Sequence, residues 1–365
     1  MKPLLRGWGG SRIHESDEYN EEWSTWETPK RTEPSSEVFS GEVASDLEMT
    51  VRLLVQTGYN AIRTTFDGPP SYSESVAGSQ WQWNEGYFQR ALQICKHYGI
   101  WMIPCYAGHG SDPYMHTMEW VNFWRHIVET YGPLYDKLVW EPCNEPLTML
   151  SDGTGQLQGI DAVNETGREY QLWIDMARSV GDTHWILVSV TCWWNELPPE
   201  DWWTEVVDPL DRIFYGRHHY YYWADHSHEW NVDAAKVQAD RDFQIDAMAL
   251  TKYSRPFLNT EFGPTLEGAI VPDAVEVNGY LAYSITTLAY VTRLIEHYKT
   301  RTNMSYTLYP CSDVYPPSLY GDMKVWGKLV PTPDLPTPMS PLGWLLPIGI
   351  GAFLLSKGRK SKRRG

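Results

Sequence analysis

Short apolar runs alternate with longer stretches of helical spacing from Leu4 to about residue 310. LLRGW (4–8) predicts a first strand, followed by a polar loop rich in Trp, Glu and Ser up to Ser40. Glu42 to Thr57 carries apolar residues at helical spacing (Val43, Leu47, Val51, Leu54), and Gly58 is a fitting stop. YNAIRTTF (59–66) is the second strand; a loop with Gly68-Pro69-Pro70 and Trp81 then leads to a helix from Glu85 to Tyr98. IWMIPCY (100–106) is strand three, with a helix from Met118 to Thr130 behind it, and Lys137 to Glu141 is strand four. A helix from Glu165 to Val180 precedes strand five, HWILVSV (184–190). The next crossover, TCWWNELPPEDWW, has little helical character. RIFYGRHHY (212–220) is strand six, Val232 to Lys252 a long helix, RPFLNTEF (255–262) strand seven, Glu276 to Lys299 a helix, and SYTLY (305–309) strand eight.

Eight strands alternating with helices predict a (β/α)8 TIM barrel over residues 1–330 rather than an open sheet. No eighth helix is visible after the last strand, no internal repeat stands out, and no glycine-rich phosphate loop is present. The 365 residues fit either one large barrel or two average domains, so the alternation decides.

With 42% hydrophobic residues the chain can bury a substantial core. Nineteen Trp and twenty-three Tyr against nine Phe favour rings with a polar edge, which suit both cores and sugar-stacking grooves. The net charge of -16 understates the acidity of the main body, because residues 1–330 hold 24 basic and 45 acidic residues, a net of -21. Such a surface repels nucleic acid and anionic substrates and favours neutral ligands. Five cysteines without CxxC spacing signal neither a zinc site nor a disulfide framework, and buried thiols are expected. No cofactor is implied, and a monomer is favoured.

The carboxy end has a different character. Residues 331–341 are a Pro-rich linker, 342–356 are uncharged and largely apolar, and 357–365 form a basic tail. As a helix, the fourteen residues from Leu342 to Leu355 reach roughly 21 Å, short of a ~30 Å hydrocarbon core. The order of spacer, apolar run and basic end nevertheless resembles the tripartite sorting signals of prokaryotic surface proteins. Basic residues stay on the cytoplasmic side, which predicts an extracytoplasmic barrel attached at the cell surface through a membrane-anchor or sorting segment. The first ten residues contain no apolar run of signal-peptide length, so a leader is expected upstream of Met1. Fractionation of cells expressing the native gene should find the protein with the envelope; recovery from the cytosol alone would overturn this location.

In a barrel of this kind chemistry gathers where strands end. Those positions hold Arg63 on strand two, His109 after three, Asn144 and Glu145 after four, His218 and Tyr220 on six, and Glu261 on seven. Glu145 and Glu261 would face each other across the mouth. Breaking a glycosidic bond needs two such groups, one to protonate the leaving oxygen and one to attack the anomeric carbon or activate water. A nearby Arg63 would keep Glu261 ionised. The acid must hold its proton near neutrality, which suits a less solvated Glu145. Glu141 is a rival acid, but strand alternation sets it away from the tip. His218 and His219 point to opposite faces of one strand, so at most one lines the site.

WEPCNEP (140–146), NTEFG (259–263), NAIRTTF and the Tyr215-x-x-His218-x-Tyr220 pattern together resemble clan A of the glycoside hydrolases, most closely family 5, the cellulase and mannanase family. The resemblance implies Glu145 as acid/base, Glu261 as nucleophile, Arg63 as support for the nucleophile, and Asn144 on the sugar 2-hydroxyl. It also places His218, Tyr220 and His109 in the site and implies retention of anomeric configuration. The family's strand eight usually ends in a Trp of the sugar platform; here it reads SYTLYPCSD, so Tyr309 or Trp326 is expected to substitute. Trp193, Trp194, Trp202, Trp203 and Trp223 follow strands five and six and could line a cleft, about half of them being structural. The leading reading is therefore a retaining β-glycosidase, endoglucanase- or mannanase-like, acting on a neutral β-linked carbohydrate. Two other classes compete with it: a catalytically silent carbohydrate-binding surface protein, and a barrel hydrolase with His14, His109 and His218 around a metal. HHYYYWADHSH lacks the H-E-x-x-H spacing that a metal site on a helix needs, so no metal is assigned.

Overall fold

Parallel pairing dominates a computed structural model of the chain, which describes residues 2–12, 14–15, 42–66, 82–83, 85–106, 112–147, 155, 157–190, 197–221, 230–263, 273–277, 280–308 and 329–335. Eight strands form one sheet: β1 (Arg6–Arg12), β2 (Ala61–Phe66), β3 (Trp101–Tyr106), β4 (Val139–Trp140), β5 (Trp185–Ser189), β6 (Ile213–Gly216), β7 (Phe257–Asn259) and β8 (Met304–Leu308). Their order is β3-β2-β1-β8-β7-β6-β5-β4. Parallel bridges Met102–Leu138 and Cys105–Glu141 join β3 to the β4 segment and close the ring. The chain is a (β/α)8 barrel, within the first of two compact units, Met1–Pro333 and Asp334–Gly365.

Helices α1 (Glu42–Gln56), α2 (Glu85–Tyr98), α3 (Thr117–Tyr131), α4 (Gly159–Ser179), α5 (Val232–Thr251) and α6 (Ile285–Lys299) follow the predicted pattern of apolar spacing. Two start at side-chain caps that satisfy an otherwise unpaired backbone N–H: Asn231 accepts from Ala234 N, and Ser284 from Thr287 N. The predicted helix from Glu276 needs correction. Its first part is an antiparallel ribbon, Ala274–Val277 with Tyr280–Ser284, and the helix begins only at Ile285. Val277 pairs with Tyr280, and the sequence between them is Asn278-Gly279, a pair strongly favoured in two-residue hairpin loops. The helical spacing downstream masked that sequence signal.

Two shells of apolar side chains sandwich the strands. Leu5, Ala61, Ile103, Val139, Trp185, Leu187, Phe214 and Leu258 fill the barrel interior. Outward residues pack on the helices in a Trp-rich layer, where Trp124 meets Trp140 and Trp173 edge to face. Two glycines let neighbouring strands approach. A Cβ on Gly7 would sit 2.2 Å from the Ala61 carbonyl oxygen, and one on Gly216 would sit 2.4 Å from that of Leu258. Gly216 ends β6, immediately before the residues that reach the mouth.

Of the cysteines, Cys95, Cys105 and Cys143 are buried free thiols among the described residues. Among the described residues no helix is long and apolar enough to cross a membrane. The apolar segment 342–356, the basic tail 357–365 and the region just after β8 lie outside the described residues.

Candidate active site

Above the apolar filling, the barrel interior becomes polar. Alternation along β2 carries Ala61 and Arg63 inward, and continuing β7 by one residue carries Thr260 inward after Leu258. Arg63 is fully buried and organises what surrounds it. Its Nε and Nη2 donate to Glu141 Oε2 at 2.6 Å and Oε1 at 2.8 Å, a two-point fork. Nη1 donates to Glu261 Oε1 at 2.5 Å, and Nη2 also reaches Asn144 Oδ1 at 2.6 Å and Cys105 Sγ at 3.0 Å.

Glu261 lies just past β7 with its side chain only 11% exposed. Tyr220 OH donates to its Oε2 at 2.7 Å. Its backbone is fixed on both sides: Glu261 N donates to Asn259 Oδ1 at 3.1 Å, and His219 N donates to the Glu261 carbonyl at 3.2 Å. Burial alone would raise the carboxyl pKa. The charges of His218 and Arg63, with hydrogen bonds from Tyr220 and Arg63, outweigh burial and hold it below the usual glutamate value.

WEPCNEP leaves β4 as a tightly held turn. Trp120 and Trp124, on α3, both donate their indole N–H to the Pro142 carbonyl, at 3.1 and 3.0 Å. Asn144 N donates to the Tyr106 carbonyl at the end of β3. At Glu145 the backbone takes φ +44°, a left-handed conformation that costs a non-glycine residue about 1–2 kcal/mol. Such strain persists only where the surroundings impose it, and it collects at functional sites. The Glu145 side chain is 46% exposed, which corrects the expectation of a poorly solvated acid. It stands on a turn beyond the strand, in the open mouth, and its Oε1 meets His218 Nδ1 at 2.9 Å.

His218 connects the groups. Its Nδ1 is 2.9 Å from Glu145 Oε1 and 3.5 Å from Glu261 Oε2, while Nε2 is 2.9 Å from Thr260 Oγ1. Burial alone would lower the imidazole pKa, but the Glu261 charge and the Glu145 hydrogen bond raise it above the ordinary histidine value. His219 faces the helices instead, with Nε2 3.1 Å from Tyr298 OH on α6. One ligand-type atom from each of Glu145, His218 and Glu261 lies within 4.8 Å of the others. A cation at that point would compete with Arg63 and Tyr220, which already take both oxygens of Glu261.

The structure thus brings together Arg63, Asn144, Glu145, His218, Tyr220 and Glu261. His109, Tyr309 and Trp326 lie outside the described residues, as do Trp193, Trp194 and Trp223 and the side chain of His14. Trp202 and Trp203 are buried: Trp203 stacks on Tyr215, and Trp202 packs under Arg217. Two residues were undervalued in the sequence. Glu141, ranked as a rival acid, is fully buried and locked to Arg63. Thr260 was passed over, although its position two residues after inward-facing Leu258 was the available signal.

The family description Cellulase (glycosyl hydrolase family 5) matches residues 22–292. No curated protein matches the chain. Among solved structures, the chain is similar to a lichenase of glycoside hydrolase family 5 from Caldicellulosiruptor sp. F32 in complex with cellotetraose, at 16% identity and TM-score 0.55, covering 83% of each chain. It is also similar to a broad-specificity endoglucanase from an uncultured bovine rumen ciliate, at 14% identity and TM-score 0.55, covering 84% of this chain and 86% of that one. A family 5 xyloglucanase from Paenibacillus pabuli gives 14% identity and TM-score 0.53, covering 84% and 89%. At these identities the likeness shows the fold alone.

Proposed function

Because the chain belongs to glycosyl hydrolase family 5 and is a glycoside hydrolase, we propose that it cleaves a neutral β-linked polysaccharide or oligosaccharide with retention of configuration, in the manner of an endoglucanase or mannanase. The observation that carries this reading is the approach of Glu145 and Glu261, one oxygen of each lying within 4.8 Å of the other at the barrel mouth. Retaining enzymes need about 5–5.5 Å between their carboxyl groups, whereas inverting ones leave about 6.5–9.5 Å for a water molecule.

Glu261 is the nucleophile. Its lowered pKa keeps it ionised, and its Oε1 and Oε2 are aimed by Arg63 and Tyr220. It attacks the anomeric carbon while Glu145 gives its proton to the departing glycosidic oxygen, forming a glycosyl ester and releasing the leaving sugar. Glu145, now a carboxylate, takes a proton from water as the water oxygen attacks the same carbon, and Glu261 departs. Arg63 can only donate, so Asn144 turns Oδ1 toward it and keeps both amide protons for another acceptor, which fits a bond to the sugar 2-hydroxyl. The neutral ligand class is supported by the acidity of residues 1–330. The surface location read from the tail belongs to the same proposal.

A substrate panel tests it. β-glucan, mannan and xylan are incubated with the enzyme, and the anomeric form of the first product is followed by NMR. We expect hydrolysis of at least one glucan or mannan with the β-anomer appearing first. Initial release of the α-anomer would overturn the assignment of Glu261 as nucleophile.

A further inference from the structure

The lone pairs and protons around His218 can be counted, and the count leaves one arrangement. Both oxygens of Glu141 receive N–H groups from Arg63, which has no acceptor. Glu141 Oε1 also lies 3.1 Å from Thr260 Oγ1, so the carboxylate offers the hydroxyl a lone pair and the Thr260 proton points at Glu141. A hydroxyl has a single proton. Thr260 Oγ1 therefore presents only lone pairs to His218 Nε2 at 2.9 Å, and Nε2 must carry a hydrogen. In the neutral imidazole Nδ1 is then the bare nitrogen, and it is the one 2.9 Å from Glu145 Oε1.

From this geometry we infer that Thr260, backed by Glu141, is a positioning residue that sets the tautomer of His218, so that Nδ1 shares a proton with Glu145. The inference rests on Glu145 being the acid/base. The pair holds one proton, carried as Glu145 O–H donating to Nδ1 or as Nδ1–H donating to the Glu145 carboxylate. It leaves through Glu145 to the departing oxygen, and the proton that Glu145 takes from the attacking water replaces it. The wrong tautomer would set an Nδ1–H against the O–H of the acid and turn the proton away from Nδ1.

The charged and titratable groups facing His218 come from three sides: Arg63 on β2, Glu141 and Glu145 after β4, and Glu261 after β7, whose Oε2 also takes the Tyr220 hydroxyl. Removing the Thr260 hydroxyl changes none of their formal charges but takes a donor from Glu141 as well as an acceptor from His218, so the readouts below separate the two. Thr260 is 1% exposed and Val has nearly its shape, while Ser keeps the hydroxyl.

The test begins with the unmutated protein. Nitrogen-15 histidine NMR at alkaline pH, where the imidazole is neutral, should show His218 with its hydrogen on Nε2; a neutral Nδ1–H form would overturn the inference outright, whatever the enzyme hydrolyses. Thr260→Val should lose that single form and Thr260→Ser should keep it. Turnover then separates proton delivery from general damage. For glycosides with poor leaving groups, which need the acid, Thr260→Val should lower kcat by about 100-fold. For aryl glycosides whose leaving group departs without a proton, it should change kcat less than tenfold, and Thr260→Ser should follow the unmutated enzyme on both. Equal losses on both substrate types would mean a structural role and would overturn the inference. Absence of hydrolysis on every β-glycoside, with the Nε2–H form present, would sink the proposed function while leaving the tautomer assignment standing.

Discussion

Glu261→Gln is expected to lower kcat by ~10^3-fold or more, which corresponds to about 4 kcal/mol of transition-state stabilisation. Two effects combine. The amide cannot attack the anomeric carbon as a carboxylate does. It also loses one aiming contact, because a Gln that keeps its carbonyl on Arg63 Nη1 turns its NH2 toward Tyr220, whose hydroxyl must then accept where it donated before. Glu145→Gln should lose a similar factor on a polysaccharide and much less on an aryl glycoside with a good leaving group, since the first step then needs little proton assistance. In the unmutated enzyme, the acidic limb of kcat/KM should fall below pH 4.5, the ordinary glutamate value, because it reports a nucleophile with a depressed pKa. Glu261 accordingly contributes stability that is present above 4.5 and is lost as pH falls through its lower folded value. Full turnover in the Glu261→Gln protein would remove it from the mechanism.

Strand ends were legible because a barrel strand is a short apolar run, and because the residue after it has a place in the fold whatever its neighbours. That logic was enough to bring Arg63, Glu145, His218 and Glu261 to one mouth. It could not weigh Glu141, which is 78 residues from Arg63 in the chain and meets it only when β4 closes against β3. Nor could it measure solvation: Glu145 is exposed because it sits on a turn in a left-handed conformation, and no periodicity encodes that. The ribbon before α6 shows the reverse case. Asn278-Gly279 was a local signal, but the apolar spacing downstream of Ile285 was extended backward across it. The aromatic platform expected from Tyr309 or Trp326 lies in the part of the chain after β8, where the alternation that anchors the other assignments stops.

Arg63→Met should affect stability as strongly as activity. Glu141 has no exposed surface, and among the described residues its side-chain donors are Arg63 and Thr260. Removing the guanidinium strands a buried carboxylate, a change that costs about 3–5 kcal/mol when one partner of a buried pair is lost. Urea unfolding should show a lower midpoint with an unchanged slope. Turnover should fall as well, since Glu261 loses the donor on Oε1 and Asn144 loses the one that fixes its amide. Arg63→Lys keeps a charge but not the planar fork, so a single ammonium cannot reach Glu141, Glu261 and Asn144 together. The double variant Arg63→Met with Glu141→Gln separates the two effects. It removes the stranded charge and should regain part of the lost stability, yet it should recover no activity, because Glu261 is still without its guanidinium. If the double variant is no more stable than Arg63→Met, the cost of the single change does not come from an unpaired Glu141. If it regains turnover, Arg63 acts on the barrel and not on the nucleophile.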